Sequence, residues 1–182
     1  MDMMHSSSRY KEFAKEYGDD LMGFVILLYG NTELSHRAIS FLSCVKHPGS
    51  RIIDLSMREF APVVALWHFL FRPESLYLHI ALDQSSKSEF MNDFITTMKK
   101  LKQTKYSWIL DHITLKKSHI SMKGYDSWNV LVKCSTQSPA AFSGFYEKDL
   151  MVWLDQHHQM SEGIKEIARS LMVGFTHRLV YA

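Results

Sequence analysis

The chain has 182 residues, 46% of them hydrophobic and 22% charged, with a net charge of +2. That length favours a single domain over residues 1–182 whose core needs no disulfide or metal staple, and so mild a charge argues against a general polyanion binder. The two cysteines, Cys44 and Cys134, form no Cys-x-x-Cys pair, which excludes zinc-knuckle and thiol-redox motifs and fits a reduced, cytoplasmic protein.

Residues 1–8 read as a short flexible lead without the apolar stretch of a signal peptide. Tyr10, Phe13, Ala14 and Tyr17 recur at helical spacing, predicting a helix capped by Ser8 and stopped near Gly18. Asp19-Asp20 reads as its terminus. The continuous apolar run 21–29 suits a strand covered on both faces. Leu34, Ala38, Phe41, Leu42 and Val45 predict a second helix, entered through Asn31 or Thr32 and ended by His47-Pro48-Gly49. A short strand over "RIIDL" follows, then a helix from about 61 to 71, with Pro62 tolerated in its first turn. The apolar runs 21–29 and 60–71 are too short to span a bilayer.

A strand over 75–83 and a helix capped by Ser86 with Glu89 come next. "KYSWILDHITL", "SHISM" and "SWNVLVKCS" predict three successive strands, an antiparallel meander over about 106–135. Leu150, Trp153, Leu154 and His157 then suggest a helix, Ile164 to Met172 another, and "GFTHRLVYA" a last strand. Helices interleaved with strands, three of which run in succession, predict an α+β fold: a mixed or antiparallel sheet packed against several amphipathic helices.

Three tetrads pair a histidine with alternating apolar residues: His79-Ile80-Ala81-Leu82, His112-Ile113-Thr114-Leu115 and His119-Ile120-Ser121-Met122. The second is similar to the His-apolar-Thr/Ser-apolar motif of two-histidine phosphoesterases. That resemblance implies His79 and His112 as proton-transfer groups and Thr114 as a phosphate-holding hydroxyl, acting on RNA or a cyclic phosphate. The sequence departs from the pattern at Ala81, where a hydroxyl is due. With Lys116-Lys117 as a turn, alternation alone places His112, Thr114, His119 and Ser121 on one face of a hairpin. Catalysis by these histidines is therefore the alternative expectation. Walker A, dinucleotide, Gly-x-Ser-x-Gly and His-Glu-x-x-His motifs are absent, and no cofactor or metal is expected.

Charge is uneven along the chain. Residues 87–133 hold nine lysines against four acids. Lys99, Lys100, Lys102, Lys105, Lys116, Lys117 and Lys123 form the candidate binding surface, with Tyr106, Trp108, Tyr125 and Trp128 among them. Such a face suits an anionic lipid surface or nucleic-acid phosphates contacted without sequence preference. The leading expectation is a non-enzymatic, self-associating structural or interaction protein, virus-encoded and matrix-like. It would bind a protein partner and sit in the cytoplasm or peripherally at a membrane. Residues 75–110 are loosely similar to matrix proteins of negative-strand RNA viruses.

Overall fold

A computed structural model describes residues 4–30, 33–142, 144–145, 147–174 and 176–182. Its centre is a seven-stranded mixed sheet of β1 (Arg51–Ile53), β2 (Ser75–Ala81), β3 (Ile113–Lys116), β4 (His119–Met122), β5 (Asn129–Cys134), β6 (Asp149–Leu154) and β7 (Arg178–Tyr181). Their order is β1-β7-β6-β2-β5-β4-β3. The five strands from β1 to β5 in that order run parallel. The β4 and β3 strands extend the sheet antiparallel, as the expected meander. The α+β class with a mixed sheet is thus observed.

Parallel neighbours need crossovers, and these place the helices. Five lie on one face: α1 (Ser8–Tyr17), α2 (Leu21–Tyr29), α3 (His36–Val45), α4 (Ala61–Phe71) and α5 (Gln84–Lys102). They bury Tyr77, Val130, Val132, Met151, Trp153 and Val180 of the sheet. The other face, with Leu76, Leu78, Ile80, Val152 and Leu154, packs on α6 (Glu162–Ser170) through Ile164 and Ala168. Because β2 and β6 are covered on both sides, nearly all their residues are buried. Each large apolar side chain so enclosed contributes roughly 1.5–3 kcal/mol.

Several local expectations are corrected. Residues 21–29 form a helix, because Leu21, Phe24, Val25 and Leu28 make one buried stripe and Asp20 caps it, accepting from the Gly23 N–H at 2.8 Å. Residues 149–154 form a strand, because five successive residues from Leu150 are buried and no single helix face could hide them all. The first part of the meander, 107–112, is a 3-10 turn. The first helix is capped by Ser7, and the long helix by Asp83, which accepts from Ser86 N at 2.8 Å. Ser35 caps the helix that starts at His36, while Asn31 and Thr32 lie outside the described residues.

The hairpin turns at Lys117-Ser118, one residue later than Lys116-Lys117. Thr114 therefore faces Ser121 and Lys116 faces His119. Moving a turn by one residue shifts the pairing by two, which keeps Thr114, His119 and Ser121 on one face, while His112 lies in the 3-10 turn before the strand.

Candidate functional site

A cavity of about 340 Å³ opens at the carboxyl ends of β2 and β6, where α4 and α5 diverge. Crevices outside the carboxyl ends of parallel strands are the usual ligand position in such sheets. Its charged walls come from separate elements. From β1 the chain enters a 3-10 turn, Leu55–Phe60, and then α4. Asp54 anchors that turn: it accepts from Ser56 N at 3.1 Å and from the Arg37 guanidinium through both oxygens, at 2.7 and 3.0 Å. The turn carries Arg58 into the crevice. The end of β6 supplies Asp155, β2 supplies His79, and α5 supplies Glu89 and Asp93.

Arg58 is clasped from two sides. Its Nε donates to Asp155 Oδ1 at 2.6 Å and its Nη2 to Glu89 Oε2 at 2.8 Å. Burial opposes ionisation of the Asp155 carboxyl, but the His79 imidazole and the Arg58 guanidinium outweigh it and hold the carboxyl below the ordinary range. His79 is 1% exposed, and its ring stacks on Phe90 at 3.8 Å. Burial lowers its pKa, against the pull of Asp155. Glu59, Glu89, Asp93 and Asp155 set four carboxylates around the one guanidinium of Arg58. The crevice thus favours a cation, or an anion that brings one.

Strand, turn and helix here follow the plan of a phosphate-binding loop, but the chemistry differs. That motif ends in Gly-Lys-Ser/Thr; the turn here carries Met57, Arg58 and Glu59 ahead of α4. Residues 54–60 contain no glycine, and backbone donors such as Met57 N and Ala61 N are spent inside the turn, on Asp54 and Arg58 carbonyls. A polyphosphate would find no backbone cradle here. Arg58 supplies fork-shaped donors that fit phosphate, and Asp155 stands where a carboxylate can hold a divalent cation.

The phosphoesterase residues do not meet. His79 faces the α4–α5 side of the sheet, whereas Thr114 and Ser121 face the other. Two strands, β5 and β4, separate β2 from β3, a distance of about 14 Å. His112 closes the exposed turn before β3. His119 Nε2 donates to Asn129 Oδ1 at 2.9 Å. That alternative is therefore overturned; of its residues only His79 lies in the crevice.

The lysines lie on several elements. Lys99, Lys100 and Lys102 end α5, with Lys100 over the Tyr29 ring. Lys105 lies over Tyr106 and pairs with Glu16 at 3.6 Å. Lys116 precedes the hairpin turn, Lys117 lies in it, and Lys123 donates to the Asp111 carbonyl at 2.7 Å. Of the aromatic residues among them, Tyr106 and Trp128 are buried, and Arg9 lies over Trp108. No helix among the described residues is long and apolar enough to cross a membrane.

Sequence reading missed Arg58, Glu89 and Asp155. One signal was present: an apolar run, "LMVWL", closing on an acid, after an earlier strand–loop–helix.

No protein-family model and no curated protein matches the chain. Solved structures do. The ATPase domain of the large terminase of Thermus phage P74-26 is similar over 88% of this chain and 68% of its own, with TM-score 0.60 and 14% identity. The large terminase of bacteriophage HK97 is similar over 92% of this chain and 38% of its own, with TM-score 0.58 and 14% identity. This likeness is one of fold. It overturns the matrix-like structural reading, and the membrane-associated and RNA-binding expectations that went with it.

Proposed function

We propose that the chain is a nucleotide-binding domain of the terminase-ATPase type, whose phosphate loop is rebuilt around Arg58. It takes a nucleotide polyphosphate together with a divalent cation into the crevice at the carboxyl ends of β2 and β6. The observation that carries this reading is the convergence of Arg58, from the turn between β1 and α4, on Asp155 at the end of β6. The likeness to the two terminases supports it. Arg58 holds the terminal phosphate as a bidentate donor. Asp155 holds the cation through oxygen, with phosphate and water completing its shell. Surrounded by four carboxylates, a polyphosphate without a cation is repelled.

Arg58 is followed by Glu59 rather than by a metal-binding hydroxyl, so turnover is expected to be slow relative to binding. Titration of the full chain with a fluorescent ATP analogue tests the reading. Saturable binding that EDTA abolishes is expected, with a loss of about tenfold or more in Arg58→Ala. Absence of binding at millimolar nucleotide with a divalent cation overturns it.

We also propose association with a second copy or another protein. The exposed Ile39, Ile53 and Leu55 near the outer edge of β1 support this. The seven lysines Lys99, Lys100, Lys102, Lys105, Lys116, Lys117 and Lys123 are proposed as a binding surface.

A further inference from the structure

The most anomalous side chain in the crevice is His79. It is 1% exposed, and neither of its ring nitrogens has a hydrogen-bond partner among the described residues. Buried polar groups left unpaired are few in folded proteins, and an absent ion or water is a common reason. The stack on Phe90 fixes the ring, with Nε2 turned to Asp155 Oδ2 at 3.9 Å. That separation is too long for a hydrogen bond. Two ligands each about 2.1 Å from one ion sit about 3.0–3.4 Å apart at octahedral or tetrahedral angles. A side-chain rotation that closes the gap by about 0.5 Å or more brings both atoms onto one ion.

The four carboxylates around the cavity call for positive charge. We propose that His79 and Asp155 together seat the cation that accompanies the polyphosphate, and that the imidazole selects a borderline transition ion (Mn²⁺, Co²⁺ or Zn²⁺) over Mg²⁺. This rests on the nucleotide-binding reading above. Magnesium takes oxygen ligands, whereas an imidazole suits the later ions. Among the described residues no three acidic, histidine or cysteine side chains gather into a metal cage. The ion therefore keeps open positions for phosphate and water, as a substrate-carrying site requires. Arg58 binds the other oxygen of Asp155, so one carboxylate orients both the guanidinium and the ion toward the phosphates.

The test uses the full chain, the fluorescent ATP analogue, and Mg²⁺, Mn²⁺, Co²⁺ or Zn²⁺ in turn. Half-maximal nucleotide binding is expected at about tenfold less Mn²⁺ or Co²⁺ than Mg²⁺. The visible absorption of bound Co²⁺ is expected to change from its aqueous spectrum to one with nitrogen ligation. His79→Phe keeps the stack on Phe90, and is expected to lose both the preference and the nitrogen-ligated Co²⁺ spectrum. Nucleotide binding that is equally strong with Mg²⁺, together with an aqueous Co²⁺ spectrum, overturns this proposal alone. A preference that survives in folded His79→Phe does the same. No nucleotide binding with any ion overturns the nucleotide reading and this proposal together.

Discussion

Asp149 shows how one side chain ties several elements. It begins β6 and accepts from the buried Arg178 at 2.6 Å and from His68 of α4 at 3.1 Å. Arg178 reaches on to the Lys46 carbonyl at 3.1 Å. Burial opposes the charge on Asp149, but His68 and Arg178 overcome it and bring its pKa to about 2. A carboxyl depressed on folding contributes stability that is full above its unfolded value and is lost as pH falls through its folded one. The window here runs from about 4 down to about 2, and the loss is about 2 kcal/mol. Urea melts at pH 5, 4, 3 and 2 should show a fall in that range that Asp149→Asn no longer shows. The same variant leaves Arg178 buried and unpaired, and should cost about 3–5 kcal/mol near neutral pH. A loss below about 1 kcal/mol would mean that solvent reaches the guanidinium.

Two elements of similar composition exchange the roles that their sequences suggest. "LMGFVILLY" and "DLMVWL" are both apolar throughout, and a short run of this kind does not distinguish a buried helix from a buried strand. What separates them lies at their ends. Asp20 caps the first run, and Gly23 leaves room for that cap: a Cβ there would meet Asp20 Oδ2 at 2.3 Å. Reading Asp19-Asp20 as the close of the preceding helix hid this start signal. Asp20→Ala should therefore cost about 1 kcal/mol, lowering the melting temperature by about 2–4 °C. Asp19→Ala, which removes a fully exposed carboxylate 3.4 Å from Arg72, should shift it much less. Equal shifts would refute the assignment of the cap. The helix over 61–71, the strand from 75 and the meander were legible because period, punctuation and partner agree there. The crevice was not, because Arg58, Glu89 and Asp155 lie on three elements far apart in the chain, and only the crossovers bring them together.

At the scale of the molecule, both apolar layers rest on the same strands. Leu78 faces α6 while Tyr77 and His79, beside it, face α4 and α5. The two layers should therefore melt as a unit, in keeping with the single domain proposed from length. Leu78→Ala, fully buried in the central strand, should cost about 2–5 kcal/mol. Near-ultraviolet and far-ultraviolet dichroism should move through one shared transition, and two separated midpoints would show independent layers. The parallel sheet also sets a timetable. Among the described residues the β1 strand pairs only with β7, and Arg51 and His177, bonded at that junction, are 126 residues apart in sequence. Contacts of such span are slow to close, because the intervening chain must first give up its freedom. The turn that carries Arg58 hangs directly from this late-formed pair, through Asp54 N to Tyr181 O at 2.9 Å. During refolding, the capacity to hold a ligand should then appear after most helical signal has returned, and a nascent chain gains its crevice only once residues 178–181 have left the ribosome.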